Sequence, residues 1–599
     1  MLQEFDCLLL GATAGLLLAR SSRRQFKIGD WGLSTEDRWT LFGFGLLLVS
    51  FAVSLTVGML RLPSAPWGDQ LSVYFTQWNA VRVGKGILWG TAFAIVTLFF
   101  GRALQRQTFG DWSVFFIRGC TWAGLYVGLF VGLERFVFPG LINWSDVYRA
   151  TGPFFTMHIG DQHLDAFIVM VFPLVWAHML HPLSRGLERW LSALVMGLLA
   201  YSAFSTMSRA TLGAVGLQVA LLIYLTWLAR GVPTSEAIMR SDSASGSEGQ
   251  LAGRIGIFLG LITLAGLVMA MSTEAIRNRF GSFAQDWNGR ASHWGMILRR
   301  GTTGIGGLGI GHGLGTLPSM VASEFGRPVP PIRWAFENQS EKPHGEIHFQ
   351  GDWPIYLERL LESGDLKSVA SFDLEVKRQE PTDGANFPDG ALRITPNLVE
   401  KSVLESFGGL SLSAIDVGRQ WQVLDLSKFE IGARDSLPVR WRPWSFGLSV
   451  SGQGTAILRA TPSAAMGTDR PAALGNLAIG NRGSYPWYFT CDDHMVWRAK
   501  NFLVHAYYEQ GLLGVSAWTI LVGSALWRAG RRHLGVGEPK NGNYKFSIES
   551  FQAVSVLGFL GVGFFGSLID TPWISGLLLA ILSMPLGASC VRRLGADDP

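Results

Sequence analysis

Long apolar segments separated by short polar ones run along most of the chain, and a polar region at residues 272–498 interrupts them. Several apolar segments reach the roughly 20 residues that a helix needs to cross a bilayer. The first segment is short and contains Asp6, but arginines follow it and no basic stretch precedes it, so we interpret it as a retained anchor and not as a signal peptide. The pattern predicts eleven membrane-spanning helices, near residues 5–20, 39–60, 86–101, 113–134, 165–181, 190–206, 210–229, 254–271, 502–527, 550–569 and 573–590.

Composition supports a membrane protein, because 48% of the 599 residues are hydrophobic and only 16% are charged. Basic residues follow the first, third, fifth and ninth predicted spans and end the chain, which predicts that these segments face the inside. If the spans alternate, the N-terminus and region 272–498 lie outside and the C-terminus lies inside. The inside loops account for the net charge of +5, so no nucleic-acid partner is implied. The four cysteines have neither a disulfide framework nor the spacing of a zinc site, so we predict no bound metal.

Four regions follow from these patterns: transmembrane helices in 1–271, a helix and a glycine-rich loop in 272–325, a β-rich insertion in 326–490, and transmembrane helices in 491–599. Seven glycines from Gly304 to Gly315 resemble a phosphate-binding loop. No Gly-Lys-Ser/Thr sequence accompanies them and no strand is predicted before them, so a turn in which backbones approach closely is favoured.

The insertion contains short alternating runs divided by turn residues, a spacing that is typical of a β-sandwich or jelly roll. Trp353, Trp421 and Trp444 are candidates for contacts with sugar rings, since an exposed aromatic face offers a flat apolar surface. The alternative is that these side chains belong to the core of the sandwich. The predicted fold class is therefore a polytopic α-helical membrane protein with about eleven transmembrane helices and a β-sandwich-like outer insertion.

Arginines on the predicted outer side form a first group of candidate binding residues. Arg149 lies in the loop before the fifth span, Arg209 lies in a tight hairpin before the seventh, and Arg290 lies in the helix predicted after residue 272. His293 is three residues from Arg290 and shares its helix face. Guanidinium groups bind phosphate oxygens in a bidentate manner, so several of them at the outer surface suit a lipid diphosphate. For Arg209 the alternative is an anchor that extends to lipid headgroups.

The start of the ninth span carries a second group. Asn501, His505 and Glu509 are spaced at i, i+4 and i+8 and therefore lie on one stripe of a helix. Ionisable groups inside a membrane cost roughly 2.5–3.5 kcal/mol each at a helix centre, so their presence there indicates function. Near neutral pH a histidine can accept a proton from a sugar hydroxyl, with the carboxylate orienting the ring. The alternative is a hydrogen-bonded polar seam between helices. Further polar groups at the same predicted level are His163, Asp165 and Asp570.

Four short motifs flank the outer region: Ser208-Arg209-Ala210, Arg290 with His293-Trp294, Gly309-Ile310-Gly311, and Asn501 followed by Glu509-Gln510-Gly511-Leu512-Leu513-Gly514. In their residues and order they resemble the O-antigen ligase/O-antigen polymerase superfamily, whose motifs flank one large periplasmic loop. The similarity covers roughly residues 40–320 and 495–575. The β-rich insertion is larger than the usual loop of that family, so no role is carried over to it.

The resemblance implies a GT-C-type glycosyltransferase of the bacterial inner membrane. Such an enzyme transfers a glycan from an undecaprenyl-diphosphate donor to a glycan or lipid acceptor hydroxyl in the periplasm, without a metal or another cofactor. Polymerases of this family extend O-antigen or exopolysaccharide chains, and ligases move a finished glycan, for example onto the core of lipopolysaccharide. The resemblance is compatible with either activity. Other polysaccharide-assembly membrane proteins are candidate partners. By resemblance, Arg209 and Arg290 hold the diphosphate, and Arg149 and His293 are further candidates for this contact.

The family's exit motif is a His-Asn pair, with Gly-x-x-Gly beginning ten residues after the Asn. Counted back from Gly511, the Asn is Asn501, but Lys500 occupies the His position. Either His505, one turn further on, acts as the base or Lys500 contributes; because a neutral lysine requires a strongly lowered pKa, His505 is preferred. The alternative function is a transporter of polysaccharide or lipid-linked glycan with a substrate-capturing outer domain. It predicts broken helices in corresponding halves and ionisable residues at the bilayer midplane.

Overall fold

The computed structural model describes the strands between residues 334 and 491 and the mainly helical segments before and after them. For the strands between 334 and 491, only the backbone is described. Elsewhere the description covers, with short gaps, residues 35–64, 76–105, 112–144, 150–154, 162–181, 184–230, 256–266, 283–324, 498–533 and 548–588. The first predicted span lies outside these residues, as do Arg149, Trp353 and Trp421.

Helices make up most of the described residues outside the strands. They are α1 (Thr35–Arg61), α2 (Gln77–Gln105), α3 (Trp112–Val137), α4 (His163–Leu180), α5 (Gly186–Ser205), α6 (Arg209–Arg230), α7 (Phe283–Gly301), α8 (Gly304–Ile310), α9 (Leu317–Glu324), α10 (Phe502–His533), α11 (Ile548–Gly563) and α12 (Pro572–Ala588). Helical residues also occur between 256 and 266, where Gly256 and Gly260 lie against Trp176 of α4.

Six of these helices are long and apolar enough to cross a membrane, and α11 and α12 are shorter apolar helices. The six spans are Thr35–Arg61, Gln77–Thr97, Ser113–Phe136, His163–Leu180, Arg209–Trp227 and Phe502–Arg531. Each overlaps a span predicted from the hydropathy pattern. The prediction of a helical membrane protein is therefore confirmed at this level.

The helices before and after the polar region pack into one bundle. α12 packs on α2, α10 packs on α1 and α11 packs on α4. The α2–α12 contact is close because Gly86 of α2 faces the backbone of Pro572, where a Cβ would lie 2.4 Å from the carbonyl oxygen. Small residues permit such close approach between membrane helices. The described helices of regions 1–271 and 491–599 thus share one core.

Helix α4 is the central helix, and every residue from His163 to Met179 is buried. Pro173 lies inside it and has no N–H to donate to the carbonyl of Val169, four residues earlier. The side-chain amide of Gln218, on α6, donates to that carbonyl at 2.6 Å and to the carbonyl of Val554, on α11, at 3.0 Å. A polar side chain at the centre of the bundle therefore replaces the missing backbone donor and joins three helices.

The glycine-rich segment differs from the predicted loop, because its first half, Gly304–Ile310, is the short helix α8. A helix satisfies its own backbone hydrogen bonds, which an apolar environment requires. Residues 311–316 form the irregular part. There a Cβ on Gly313 would lie 2.3 Å from the backbone nitrogen of Gly58 on α1, and one on Gly315 would lie 2.6 Å from that of Ala80 on α2. The glycines thus serve close backbone approach, the interpretation favoured from the sequence.

Within residues 334–491 the described strands are β1 (Trp334–Phe336), β2 (Gly345–Gly351), β3 (Ile355–Leu361), β4 (Phe372–Gln379), β5 (Leu392–Glu400), β6 (Leu410–Ser411), β7 (Ile415–Asp416), β8 (Gln422–Leu424), β9 (Trp444–Gly452), β10 (Gly454–Pro462) and β11 (Tyr488–Cys491). They form a five-stranded sheet in the order β1-β2-β10-β4-β8 and a six-stranded sheet in the order β11-β3-β9-β5-β6, with β7 also paired to β5. All described pairings are antiparallel. β10 contacts β5, and β2 contacts β9, across the two sheets. Trp444 is the first residue of β9 and pairs with Leu361 of β3.

Candidate functional site

A short segment, residues 498–501, leads into α10 and is fastened on two sides. Asn501 caps α10, because its side-chain oxygen accepts the N–H of Val504 at 3.0 Å. Its side-chain nitrogen donates to the carbonyl of Phe564 at 3.1 Å, and the N–H of Lys500 donates to the hydroxyl of Ser567 at 2.7 Å. Lys500 itself has a left-handed backbone, with φ of 47°. The turn after α11 therefore sets the position of this segment.

Helix α7 fastens the other side of the segment. Because a carbonyl can only accept, the ring of His293 donates through Nε2 to the carbonyl of Arg498 at 2.9 Å. The indole of Trp294 donates to the carbonyl of Ala499 at 2.7 Å. His293 is buried and holds the segment in place. Its predicted contact with a diphosphate stays a prediction.

One turn into α10, His505 and Glu509 form the pair that their spacing predicted. The Nε2 atom of His505 lies 3.2 Å from Oε1 of Glu509, and both side chains are almost fully buried. The two groups are within ion-pair distance but are not aligned as a hydrogen bond, and Nδ1 of His505 has no hydrogen-bond partner among the described residues. A carboxylate beside Nε2 favours the tautomer with its proton on Nε2, which leaves a lone pair on Nδ1.

A break in α10 positions Glu509. Gly511 has φ of 65° and ψ of −165°, so the helix is interrupted there, whereas the sequence predicted a continuous span. Because of the break, the carbonyls of Tyr508 and Glu509 do not accept N–H groups of the next turn of α10. They accept the backbone N–H groups of His312 and Gly313 instead, at 2.8 and 3.0 Å. Buried backbone groups require such partners. The glycine-rich segment and the break therefore form a matched pair.

Beside this helix turn, Asp570 joins two arginines. Its carboxylate lies 3.1 Å from Nε of Arg498 and also contacts Nη2 of Arg82, while its carbonyl accepts Nη1 of Arg82 at 3.0 Å. Arg82 is held further by Asn79, whose side-chain oxygen accepts its Nε–H at 2.9 Å. Burial raises the pKa of Asp570, but the charges of Arg82, Arg498 and His505 outweigh it and lower the pKa from 3.8 to about 2. Asp570 is thus a carboxylate at neutral pH and lies within electrostatic range of His505.

The polar groups predicted at the start of the fifth span lie at the same end of the bundle. Nε2 of His163, the first residue of α4, contacts the hydroxyl of Thr571, next to Asp570. Asp165, two residues further along α4, is also buried. The predicted common level of His163, Asp165 and Asp570 agrees with this arrangement.

Arg290 reaches the turn after α11 from α7. Its Nη1 donates to the carbonyl of Phe565 at 2.9 Å, and its guanidinium lies 5.7 Å from the centre of the Phe565 ring. The neighbouring Phe564 stacks on Trp287 at 6.0 Å and supplies the carbonyl that Asn501 holds. Arg290 and the start of α10 therefore share one turn as their support.

Arg209 is the first residue of α6, directly after a three-residue turn, as its predicted tight hairpin requires. α6 runs antiparallel to α11: Gln218 bonds to Val554, and Ala214 lies 3.5 Å from where a Cβ on Gly561 would be. Continuing this register places Arg209 level with the turn that holds Arg290. Two predicted arginines thus lie at the end of the bundle that carries His505.

The sequence-based assignment missed Arg82 and gave Arg498 and Asp570 no role. Arg82 lies before the predicted start of its span at residue 86, yet α2 begins at Gln77, so the arginine is inside the helix. The signal that singled out Arg209, a basic residue on the predicted outer side, applies equally to Arg82. Among the described residues, no group of three or more His, Cys, Asp or Glu side chains is arranged to hold a metal ion.

These observations define a helical membrane protein with a buried ionisable cluster at one end of its bundle. Comparisons of the chain with models of known families, with curated proteins and with solved structures find no match. The evidence on function therefore comes from the residues and geometry of the chain itself.

Proposed function

We propose that this protein is a membrane glycosyltransferase that moves a glycan from an undecaprenyl-diphosphate donor to an acceptor hydroxyl at the outer face, without a metal. The observation that carries the proposal is the buried His505–Glu509 pair beside Asp570, at the end of the bundle where Arg290 and Arg209 lie. Buried ionisable groups at a membrane boundary are costly and indicate function. The resemblance of the motifs to the O-antigen ligase/polymerase superfamily supports glycan transfer as the reaction.

In the proposed reaction, Nδ1 of His505 removes the proton of the acceptor hydroxyl while its oxygen attacks the anomeric carbon of the donor. The new carbon–oxygen bond forms as the bond to the diphosphate breaks, and the diphosphate leaves with the electron pair. Glu509, 3.2 Å from Nε2, stabilises the imidazolium that results. An Nδ1 atom without a hydrogen-bond partner among the described residues, on a ring whose Nε2 lies at ion-pair distance from a carboxylate, supports this assignment.

The leaving diphosphate gains negative charge, which nearby guanidinium groups stabilise. We assign this role to Arg290 and Arg209, with Arg149 as a further candidate. Arg82 and Arg498 both contact the carboxylate of Asp570, so these three side chains together carry a net positive charge. That charge favours an anionic ligand at the same end of the bundle.

Lys500 is the alternative base. It precedes Asn501 in the fastened segment, and its side chain is half-buried. A lysine acts as a base only if its pKa is strongly lowered, whereas a histidine needs no such shift. The two assignments are separated by mutation.

The test is transfer of a glycan from a synthetic lipid-diphosphate donor by the purified protein in detergent with EDTA. His505→Gln and Arg290→Gln should reduce the rate by about a hundredfold or more. Lys500→Ala should retain activity, and Arg299→Gln, an exposed arginine on the same helix as Arg290, is the matched control. Thermal unfolding of each variant separates loss of the site from loss of the fold.

Undiminished transfer by His505→Gln would overturn its role as the base, and loss in Lys500→Ala alone would move that role to Lys500. If Arg290→Gln and Arg299→Gln behave alike, Arg290 does not hold the diphosphate. No transfer by the wild type with several donors would reject the enzyme.

The proposal extends to the arrangement of the chain. We infer eleven spans in the bacterial inner membrane, with residues 272–498 in the periplasm. We also infer that the two sheets form a sandwich that binds carbohydrate, with Trp353, Trp421 and Trp444 as candidate contacts. The two contacts between the sheets support a sandwich. Cysteine-accessibility labelling of residues in the insertion from the periplasmic side tests the location.

One observation favours the alternative of a transporter. α10 is broken at Gly511 and α4 contains Pro173, and interrupted helices in the two halves of a bundle are typical of transporters. The residues of the proposed site nevertheless lie at one end of the bundle and not at its middle, which favours the enzyme. Movement of a labelled lipid-linked glycan across proteoliposomes, without any change in its glycan, would support the transporter.

A further inference from the structure

Arg61, the last residue of α1, is held by a neutral histidine. Its Nη1 lies 2.7 Å from Nδ1 of His312 and 3.3 Å from the carbonyl of the same residue. Because an arginine only donates, Nδ1 must accept, so the proton of the neutral ring is on Nε2. Burial, and then the charge of Arg61, lower the pKa of His312, in agreement with a neutral ring.

The histidine is itself rigidly placed. Its ring stacks on Tyr508 with centroids 4.8 Å apart and planes 11° from parallel. The backbone N–H of His312 donates to the carbonyl of Tyr508 at 2.8 Å, at the break in α10. The guanidinium of Arg61 is therefore held in one position by an ordered histidine ring, unlike a side chain that extends freely into solvent.

The charge of Arg61 is not balanced by these contacts. Among the described residues, its partners are two neutral acceptors of His312. By contrast, Arg82, Arg528 and Arg531 each pair with a carboxylate. An exposed, oriented guanidinium with donors to spare fits a phosphate group in a bidentate manner.

Apolar side chains are exposed on both elements beside Arg61. Leu60 of α1 is 81% exposed, and Leu308 and Ile310 of α8 are 41% and 37% exposed. The two helices touch where the hydroxyl of Ser54 donates to the carbonyl of Ile310 at 3.4 Å. A fixed cation at the end of a membrane helix, above exposed apolar surface, matches a lipid with a phosphate headgroup.

We propose that Arg61, held by His312, binds the phosphate of an anionic glycerophospholipid whose acyl chains lie against Leu60 and Ile310. This site is separate from the cluster around Asp570, since it is built from α1, α8 and residues 311–313. It does not depend on glycan transfer. It meets α10 at Tyr508, next to Glu509, so a bound lipid would contact the support of the proposed active site.

The test is titration of the purified full-length protein with phosphatidylglycerol, measured by native mass spectrometry. The comparison lipid is diacylglycerol with the same acyl chains, which lacks the phosphate. Arg61→Gln should weaken phosphatidylglycerol binding about tenfold, the loss expected for a hydrogen bond between charged groups. His312→Phe keeps an aromatic ring against Tyr508 but removes the Nδ1 acceptor, and should weaken binding severalfold. Arg299→Gln, another exposed arginine at this end, is the control and should change nothing.

Equal losses in Arg61→Gln and Arg299→Gln would show general attraction of basic residues to lipid and overturn the site. So would equal binding of diacylglycerol and phosphatidylglycerol. Binding of farnesyl diphosphate but not of phosphatidylglycerol would assign the site to a polyprenyl substrate and reject the phospholipid. Since lipid binding is read without turnover, a failed transfer assay leaves this test unaffected.

Discussion

Removing the charge of Asp570 tests how the arginine cluster stabilises the bundle. Asp570→Asn keeps the size of the side chain but removes the carboxylate charge that the guanidinium groups of Arg82 and Arg498 contact. The side chain of Arg498 is only 6% exposed, so water cannot replace the lost partner. The variant is therefore expected to be strongly destabilised.

The structure sets the magnitude. Lowering of the pKa of Asp570 from 3.8 to about 2 corresponds to about 2 kcal/mol in favour of the folded carboxylate. Removal of one partner from a buried pair typically costs about 3–5 kcal/mol, because a charge is left buried. The expected loss is thus about 2–5 kcal/mol in the free energy of unfolding.

Thermal unfolding in detergent, followed by tryptophan fluorescence, measures this loss. The control is Glu188→Gln, which breaks a pair with Arg118 at 3.0 Å in which both side chains are about a third exposed. Exposed pairs contribute less than about 1 kcal/mol, so the control should unfold near the wild-type temperature. Asp570→Asn should unfold at least about 5 °C lower.

The pH dependence follows from the direction of the pKa change. Because the folded pKa is lowered, the contribution of Asp570 is fully present above its unfolded pKa near 4 and is lost as the pH falls through about 2. The difference in unfolding temperature between wild type and Asp570→Asn should be constant from pH 5 to 7 and should become smaller below about pH 4. A gap that does not exceed that of Glu188→Gln, or one that is unchanged at pH 3, would refute the electrostatic explanation.

Two further predictions concern the packing of the bundle. Gly511→Ala should greatly reduce the yield of folded monomer in size-exclusion chromatography, because φ is 65° and a Cβ would lie 2.5 Å from a carbonyl oxygen of α8. Gly523→Ala, on the same helix with no atom within 4 Å of the new Cβ, should leave the yield unchanged; equal yields would contradict the close contact. Gln218→Leu should cost about 1–2 kcal/mol in thermal unfolding, because the carbonyl of Val169 loses its donor. Pro173→Ala in that background supplies a backbone N–H and should recover part of the loss, and an unchanged unfolding temperature in Gln218→Leu would exclude this role.

Local pattern predicted the helices and the first elements of the site. The predicted spans 39–60 and 165–181 correspond to Thr35–Arg61 and His163–Leu180, because apolar length alone specifies a helix that crosses a bilayer. The i, i+4 spacing of His505 and Glu509 brought their side chains together, since helix geometry fixes that distance. Such features depend on neighbours within one turn.

The break at Gly511 could not be predicted in the same way. It depends on residues 311–313, about 200 positions away, whose N–H groups replace those of the helix. The role of Arg82 also depends on a distant partner, Asp570. Hydropathy carries no information on such pairs.

Hydropathy and residue spacing were enough to predict a helical membrane protein, the approximate position of its membrane helices and the stripe of polar residues that begins α10. These follow from composition and from periodicities that act along a single helix. The packing of distant segments was needed to show that Asp570 joins Arg82 and Arg498, that His312 holds Arg61, and that the glycine-rich segment completes the broken helix. The reason is physical: a buried charge or backbone group must find a partner, and in a folded bundle that partner comes from whichever helix packs alongside.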